Sequence, residues 1–157
     1  MLNLNLGAVD FIFGQHARIW IDSSDIRVSA GGGAITANGR ASSTDVSYYV
    51  INKSSVAASS SSTAGSGTVY LGRPWSEYAR VDFQNTVLSN IINSAGWEVW
   101  SSSEPNTGDV TFQEYGNTGA GASGTRASFS TKLSSAVTIS TILGSTYTGW
   151  VDTSYLS

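Results

Sequence analysis

Ile51-Asn52-Lys53-Ser54-Ser55-Val56 is a short phrase that the chain repeats. Ile21-Asp22-Ser23-Ser24-Asp25-Ile26 precedes it by 30 residues, and Phe83-Gln84-Asn85-Thr86-Val87-Leu88 follows it by 32. Each copy reads apolar, then Asp, Asn or Gln, then any residue, then Ser or Thr, then any residue, then apolar. A strand-forming repeat of this period suggests a solenoid, in which each coil stacks its inward side chains on the next. Polar residues at equivalent corners can then hydrogen-bond from coil to coil. A β-sandwich is the rival architecture for a chain of short strands.

Working outward, short β runs recur at Val9–Phe13, Ile19–Ile21, Tyr48–Ile51, Val69–Leu71, Val81–Phe83 and Val110–Phe112. No Asn-Gly or Asp-Gly pair joins two adjacent runs, so tight hairpins are not expected. Residues 57–67 and Gly31-Gly32-Gly33 read as exposed loops between coils. From 134 to 143 the apolar residues take helical spacing, and Gly144 follows. That spacing predicts a short helix with a glycine C-cap, placed to cap the last coil as solenoids require. The residues by themselves give an all-β chain, solenoid or sandwich, in a single domain over residues 1–157.

Composition narrows the partners. The chain has 157 residues, 40% hydrophobic and only 12% charged, with a net charge of -3. No cluster of Lys or Arg exists, which argues against nucleic acid as a partner. No apolar run approaches the roughly 18 residues of a membrane span. No signal peptide is visible, and Asn52-Lys53-Ser54 is one glycosylation sequon. The absence of cysteine removes disulfides and thiol chemistry.

Serines abound, yet no Gly-x-Ser-x-Gly elbow is present. His16 is the sole histidine and reads as a surface or hydrogen-bonded structural residue. One His, no Cys and scattered carboxylates give no metal-ligand spacing, and no cofactor is expected. Carboxylate chemistry is what remains. Gly7-Ala8-Val9-Asp10-Phe11-Ile12-Phe13-Gly14 sets Asp10 inside an apolar run, where a charge must be paired or hydrogen-bonded. Asp82 also sits in an apolar strand, but alternation with Val81 and Phe83 turns it outward. Glu114 reads as a structural hydrogen-bonding corner.

Arg73 lies in Leu71-Gly72-Arg73-Pro74-Trp75 and could grip a carboxylate bidentately. Paired with Asp10, it would keep that carboxylate charged and fix its orientation. Trp75 either offers a flat face to a sugar ring or packs in the core. Trp97 and Trp100 either pack over the coils or line a groove.

Five stretches in order resemble the pectinesterase (pectin methylesterase) family, its fungal members most closely. They are Gly7–Gly14, Ile35–Arg40, Tyr70–Trp75, Ala95-Gly96-Trp97 and Glu114–Ala122. The resemblance implies a right-handed parallel β-helix, secretion, and hydrolysis of methyl esters on polygalacturonate (pectin), without cofactor and as a monomer. It also implies roles. Asp10 matches the nucleophile that forms an acyl-enzyme, Arg73 the residue that holds it, and Trp75 a substrate-binding aromatic.

The resemblance covers the C-terminal half of such enzymes, with Met1–Leu6 reading as an unrelated start. Family members carry a second Asp, the general acid and base, and two glutamines in coils before the Val-Asp-Phe-Ile-Phe-Gly signature. Little esterase activity is therefore expected of this chain alone, and an exposed coil face would favour self-association. The alternatives are a non-catalytic pectin-binding β-helix remnant and a non-functional gene fragment.

Overall fold

Among the described residues, all strand ladders in the computed structural model are parallel, which settles the choice against a sandwich. The structure describes residues 4–156. The strands in order are β1 (Leu4–Gly7), β2 (Ile12–Gly14), β3 (Arg18–Asp22), β4 (Asp25–Val28), β5 (Gly33–Asn38), β6 (Tyr48–Asn52), β7 (Ser55–Ala58), β8 (Val69–Pro74), β9 (Arg80–Gln84), β10 (Val87–Leu88), β11 (Thr111–Tyr115) and β12 (Ser130–Lys132). They form three sheets that run the length of a parallel β-helix. Sheet I is β1-β4-β7-β10, sheet II is β2-β5-β8, and sheet III is β3-β6-β9-β11-β12. Each coil visits II, III and I in turn.

The repeated phrase is the corner between sheets III and I. Asp22, Asn52 and Gln84 are Cα partners in successive coils. The Asn52 amide donates to Asp22, and the Gln84 amide to Asn52. One step on, Ser23, Lys53 and Asn85 all have positive φ, between 44° and 51°. This left-handed residue turns the chain, and it explains why that position of the phrase tolerates any type only at a conformational cost. The hydroxyls come next. Ser54 Oγ accepts from the Ser24 N–H at 3.1 Å, and Thr86 Oγ1 from the Ser54 N–H at 3.3 Å. A fourth corner follows at Tyr115-Gly116-Asn117, where Gly116 turns the chain and Asn117 accepts from the Thr86 N–H.

The core fills the interior with stacked inward residues. Ile26, Val28, Ile35, Tyr49, Ile51, Val69, Leu71, Val81 and Phe83 are all fully buried. Trp97 packs inside as well, stacked on Phe112 at 4.4 Å and edge-on to Phe83. The stack Ile21–Ile51–Phe83 ends at Glu114. That carboxylate is satisfied by Arg126 at 2.7 Å and by the Trp97 indole and Asn117, so the expected hydrogen-bonding corner is an ion-paired plug.

Four expectations need correction. The run Val9–Phe13 is not one strand, because Asp10 adopts φ 50° at a corner and β2 begins only at Ile12. Ala57 and Ala58 belong to β7, so the polar loop starts after them. The start Met1–Leu6, read as unrelated, is built into the solenoid from Leu4 on, where Leu4–Gly7 pairs in register with β4, while Met1–Asn3 lie outside the described residues. The C-terminal helix is α1 (Ile139–Leu143), five residues long, N-capped by Thr138 and ended at Gly144. It does not cap the last coil. It lies on the outer face of sheet III, against β3 and β6, with Ile142 packed on Tyr48 and Val50. The apolar outer residues Trp20, Tyr48 and Val50 need cover, and the C-terminal segment supplies it. Gln84 clamps that segment at two points, accepting from the Val137 N–H at 2.8 Å and donating to the Val137 carbonyl at 3.0 Å.

Candidate active site

The outer face of sheet II carries a row of side chains one coil apart. Phe13, Ala37 and Arg73 are successive Cα partners across β2, β5 and β8. The small Ala37 leaves a depression of about 250 Å³, lined by Asp10, Phe13, Ala37, Trp75 and Trp100. Asp10 enters it from the corner before β2, held by its N–H on the Ala34 carbonyl at 2.6 Å. That corner fits because residue 7 is glycine. A Cβ there would fall 2.2 Å from the Phe11 ring. A non-glycine φ of 50° is sparsely populated, though Asp is among the residues that adopt it most readily. Such strain often sits at functional positions.

Asp10 and Arg73, 63 residues apart, form a bidentate pair. Arg73 Nε lies 3.1 Å from both carboxylate oxygens, and Nη2 lies 2.6 Å from Oδ2. Both side chains are about a quarter exposed (25% and 21%), so the pair is open to solvent on one side. The hydrogen bonds to Asp10 hold the Arg73 guanidinium above its ordinary pKa against the opposing effect of burial. The guanidinium also lies over the Trp100 ring, 4.6 Å from its centroid, a cation–π contact that further fixes the fork.

Aromatic walls complete the cleft. Trp75 is half-buried beside Phe13, their rings 6.4 Å apart and tilted by 56°. It lies close over Gly39, where a Cβ would meet the indole at 3.0 Å. Trp100 stands on the loop after Trp97, and Asn106 ties that loop to the Pro74 and Trp75 carbonyls at 3.3 Å. Of the two uncertain tryptophans, Trp97 is core and Trp100 is cleft.

Sequence reasoning singled out Asp10, Arg73 and Trp75, and the structure brings all three together. It did not single out Phe13, whose 64% exposure in an apolar strand is the anomaly. The signal was in the register: residues one coil from Arg73 on the same face lead back to Ala37 and Phe13. Asp82 is not part of this cleft. Alternation places it on the outer face of sheet III as expected, but that face is covered, and Asp82 is fully buried. His16 is paired with Asp45 at 2.6 Å on the surface. The Ser47 N–H, ahead of His16, holds the Asp45 carboxyl below its usual range. A larger hollow of about 640 Å³ lies at the last coil, but its charged pair Glu114 and Arg126 is engaged internally. Among the described residues, no group of three His, Cys, Asp or Glu side chains is placed to hold a metal ion, and no helix is long and apolar enough to cross a membrane.

The pectinesterase family model matches residues 4–146. The chain is 66% identical over 151 residues to a pectinesterase of Aspergillus aculeatus, covering 95% of this chain and 46% of that protein. It is 60% identical over 153 residues to a pectinesterase of Aspergillus niger, covering 96% and 46%. Among solved structures, the pectin methylesterase from Aspergillus niger superposes with a TM-score of 0.87 at 41% identity, over 97% of this chain and 48% of that one. The chain thus spans about half the length of the curated relatives it matches.

Proposed function

Since the chain belongs to the pectinesterase family, we propose that its cleft binds methyl-esterified polygalacturonate, with Asp10 as the nucleophile of ester hydrolysis. The observation that carries this reading is the bidentate Asp10–Arg73 pair on the floor of an aromatic-walled cleft. Arg73 keeps one face of the carboxylate fixed, so that an oxygen can approach the ester carbonyl in one orientation. Attack forms a bond from an Asp10 oxygen to the C6 carbonyl carbon, and the bond from that carbon to the methoxy oxygen breaks. The methoxy group takes up a proton and leaves as methanol. Water then adds to the acyl carbon, and the Asp10 carboxylate is released with a galacturonic acid. Trp75 and Phe13 offer flat apolar faces for the sugar rings, which suits pyranose C–H surfaces.

The proton transfers and the oxyanion need further groups. The family resemblance assigns them to a second Asp and to glutamines before the Gly7–Gly14 signature. A missing general acid lowers a rate by about 10²–10⁴, and a missing oxyanion donor by about 10²–10³. For the 157 residues tested by themselves, the expected outcome is methanol release from highly methylated pectin far below that of a full-length relative, and abolished by Asp10→Asn. A rate near the relative's would sink the impairment. A rate unchanged by Asp10→Asn would sink the nucleophile. Secretion and a monomeric state belong to the same reading.

A second reading is binding without turnover, favoured by the aromatic walls, which stand apart from any chemistry. Binding of methylated oligogalacturonides with no methanol released would support it. Trp75→Ala should weaken that binding about tenfold, or about 1.4 kcal/mol.

A further inference from the structure

The row on sheet II has a fourth member. The bridge between Gly72 and Trp97, with the Glu98 N–H donating to the Gly72 carbonyl at 3.1 Å, continues the Phe13–Ala37–Arg73 register to Glu98. Trp97 points into the core, so alternation turns Glu98 to the outer face. Glu98 is half-buried one coil beyond Arg73, and its carboxylate acts electrostatically on both Arg73 and Asp10. Among the described residues it takes part in no ion pair. Arg73 directs Nε and Nη2 at Asp10, and its Nη1 makes no hydrogen bond among the described residues.

This arrangement matters because the two ends of the proposed reaction differ in charge. The substrate sugar is a neutral methyl ester, and the product sugar carries a carboxylate. A guanidinium with a free edge attracts that carboxylate and would retain product in the cleft. A second fixed negative charge beside the guanidinium opposes this attraction and leaves the neutral ester nearly untouched. We propose that Glu98 is a specificity-determining residue, resting on the reading above, whose carboxylate disfavours a free galacturonate carboxylate in the cleft and so favours the methyl-esterified sugar over the de-esterified one. Desolvation, and then Asp10, push the Glu98 carboxyl upward against the opposing pull of Arg73. The discrimination therefore fades on acidification earlier than an ordinary glutamate would allow. Arg73 from β8 and Asp10 from the corner before β2 are the charged groups that act on it.

The test is calorimetric titration of the 157-residue chain and its Glu98→Gln variant with short oligogalacturonides, methyl-esterified and de-esterified, at low and high salt. In the wild-type chain the ester is expected to bind more tightly. In Glu98→Gln the ratio of the two affinities should fall about three- to tenfold, the range for a partly screened charge pair. High salt should shrink the ratio in the wild type and change it little in the variant, a response that a merely structural glutamate would not produce. A ratio unchanged by Glu98→Gln, with both sugars still bound, overturns the role of Glu98 and leaves the cleft reading intact. Failure of the wild-type chain to bind either sugar overturns both.

Discussion

Asp10 and Asp82 are carboxylates on the outer faces of two sheets of one solenoid, and their surroundings are opposite. Asp10 is partly open to solvent, bonded through both oxygens to Arg73, and set on a strained corner of the backbone. Asp82 is fully buried, and neither of its oxygens finds a partner among the described residues. Burial, then Glu114, pushes the Asp82 carboxyl up to about 7. The difference comes from what lies over each sheet. Aromatic walls leave the Ala37 depression on sheet II open, while the C-terminal segment seals sheet III through Val137 and Ile142. A carboxylate in the open cleft stays available to a ligand. One sealed without a partner favours its neutral form. Alternation along a strand assigns a face, and the environment of that face is decided elsewhere in the chain.

The largest expected effect comes from stripping the cover. Ile142 is 1% exposed and packs on Tyr48 and Val50. Ile142→Ala should cost roughly 2–5 kcal/mol, the range for truncating a buried aliphatic side chain. It should also admit water to the face that Asp82 shares with Val50. The pH dependence of stability, measured by denaturant unfolding, should then flatten. A destabilised variant with the wild-type pH dependence would show that the segment is not what isolates Asp82.

Replacing Asp82 itself comes next. Its ordinary carboxyl range lies near 3.8, and the folded chain raises it to about 7. Between those values the folded state holds a proton that the unfolded state has released. Stability from this group is thus full below about pH 4 and lost as pH rises towards 7. Asp82→Asn removes that loss and should gain about 2–4 kcal/mol at pH 8, and much less at pH 4. A variant no more stable than the wild type at pH 8 would mean that the buried carboxylate has solvation the structure does not reveal.

This contrast bounds what was legible in the sequence. The coil corner was readable because the backbone demands the same chemistry each time, as Ser24, Ser54 and Thr86 show. The Asp10–Arg73 pair was readable because each residue sat where its neighbours left few other partners. The fate of Asp82 was not, because the segment that covers the outer face of its sheet, through Val137 and Ile142, comes about 55–60 positions later, with a helix too short to place by periodicity. The same short helix was assigned to the coil end, when the apolar Trp20, Tyr48 and Val50 on the outside of sheet III had already marked where it belongs. Trp97 and Trp100 could not be told apart by type. Three residues of register turn one into the core and the other over Arg73.

The smallest effect gives the sharpest comparison, because one substitution is expected to have opposite signs at the two positions. Asp10→Asn removes a charge that Arg73 holds by three contacts, and leaves a guanidinium facing a neutral amide. It should destabilise, where Asp82→Asn stabilises. A double-mutant cycle with Arg73→Gln isolates the pairing from the separate effects of each change. The coupling should be about 1–2 kcal/mol, above the typical exposed ion pair because the geometry is bidentate, and below a dry one because a face is open to water. High salt should reduce it. A coupling near zero would mean that Trp100 and the Asp10 N–H on Ala34 orient the two groups without help from each other. The cleft would then owe its form to the backbone corner and the aromatic walls alone, and the two carboxylates would differ only in access to water.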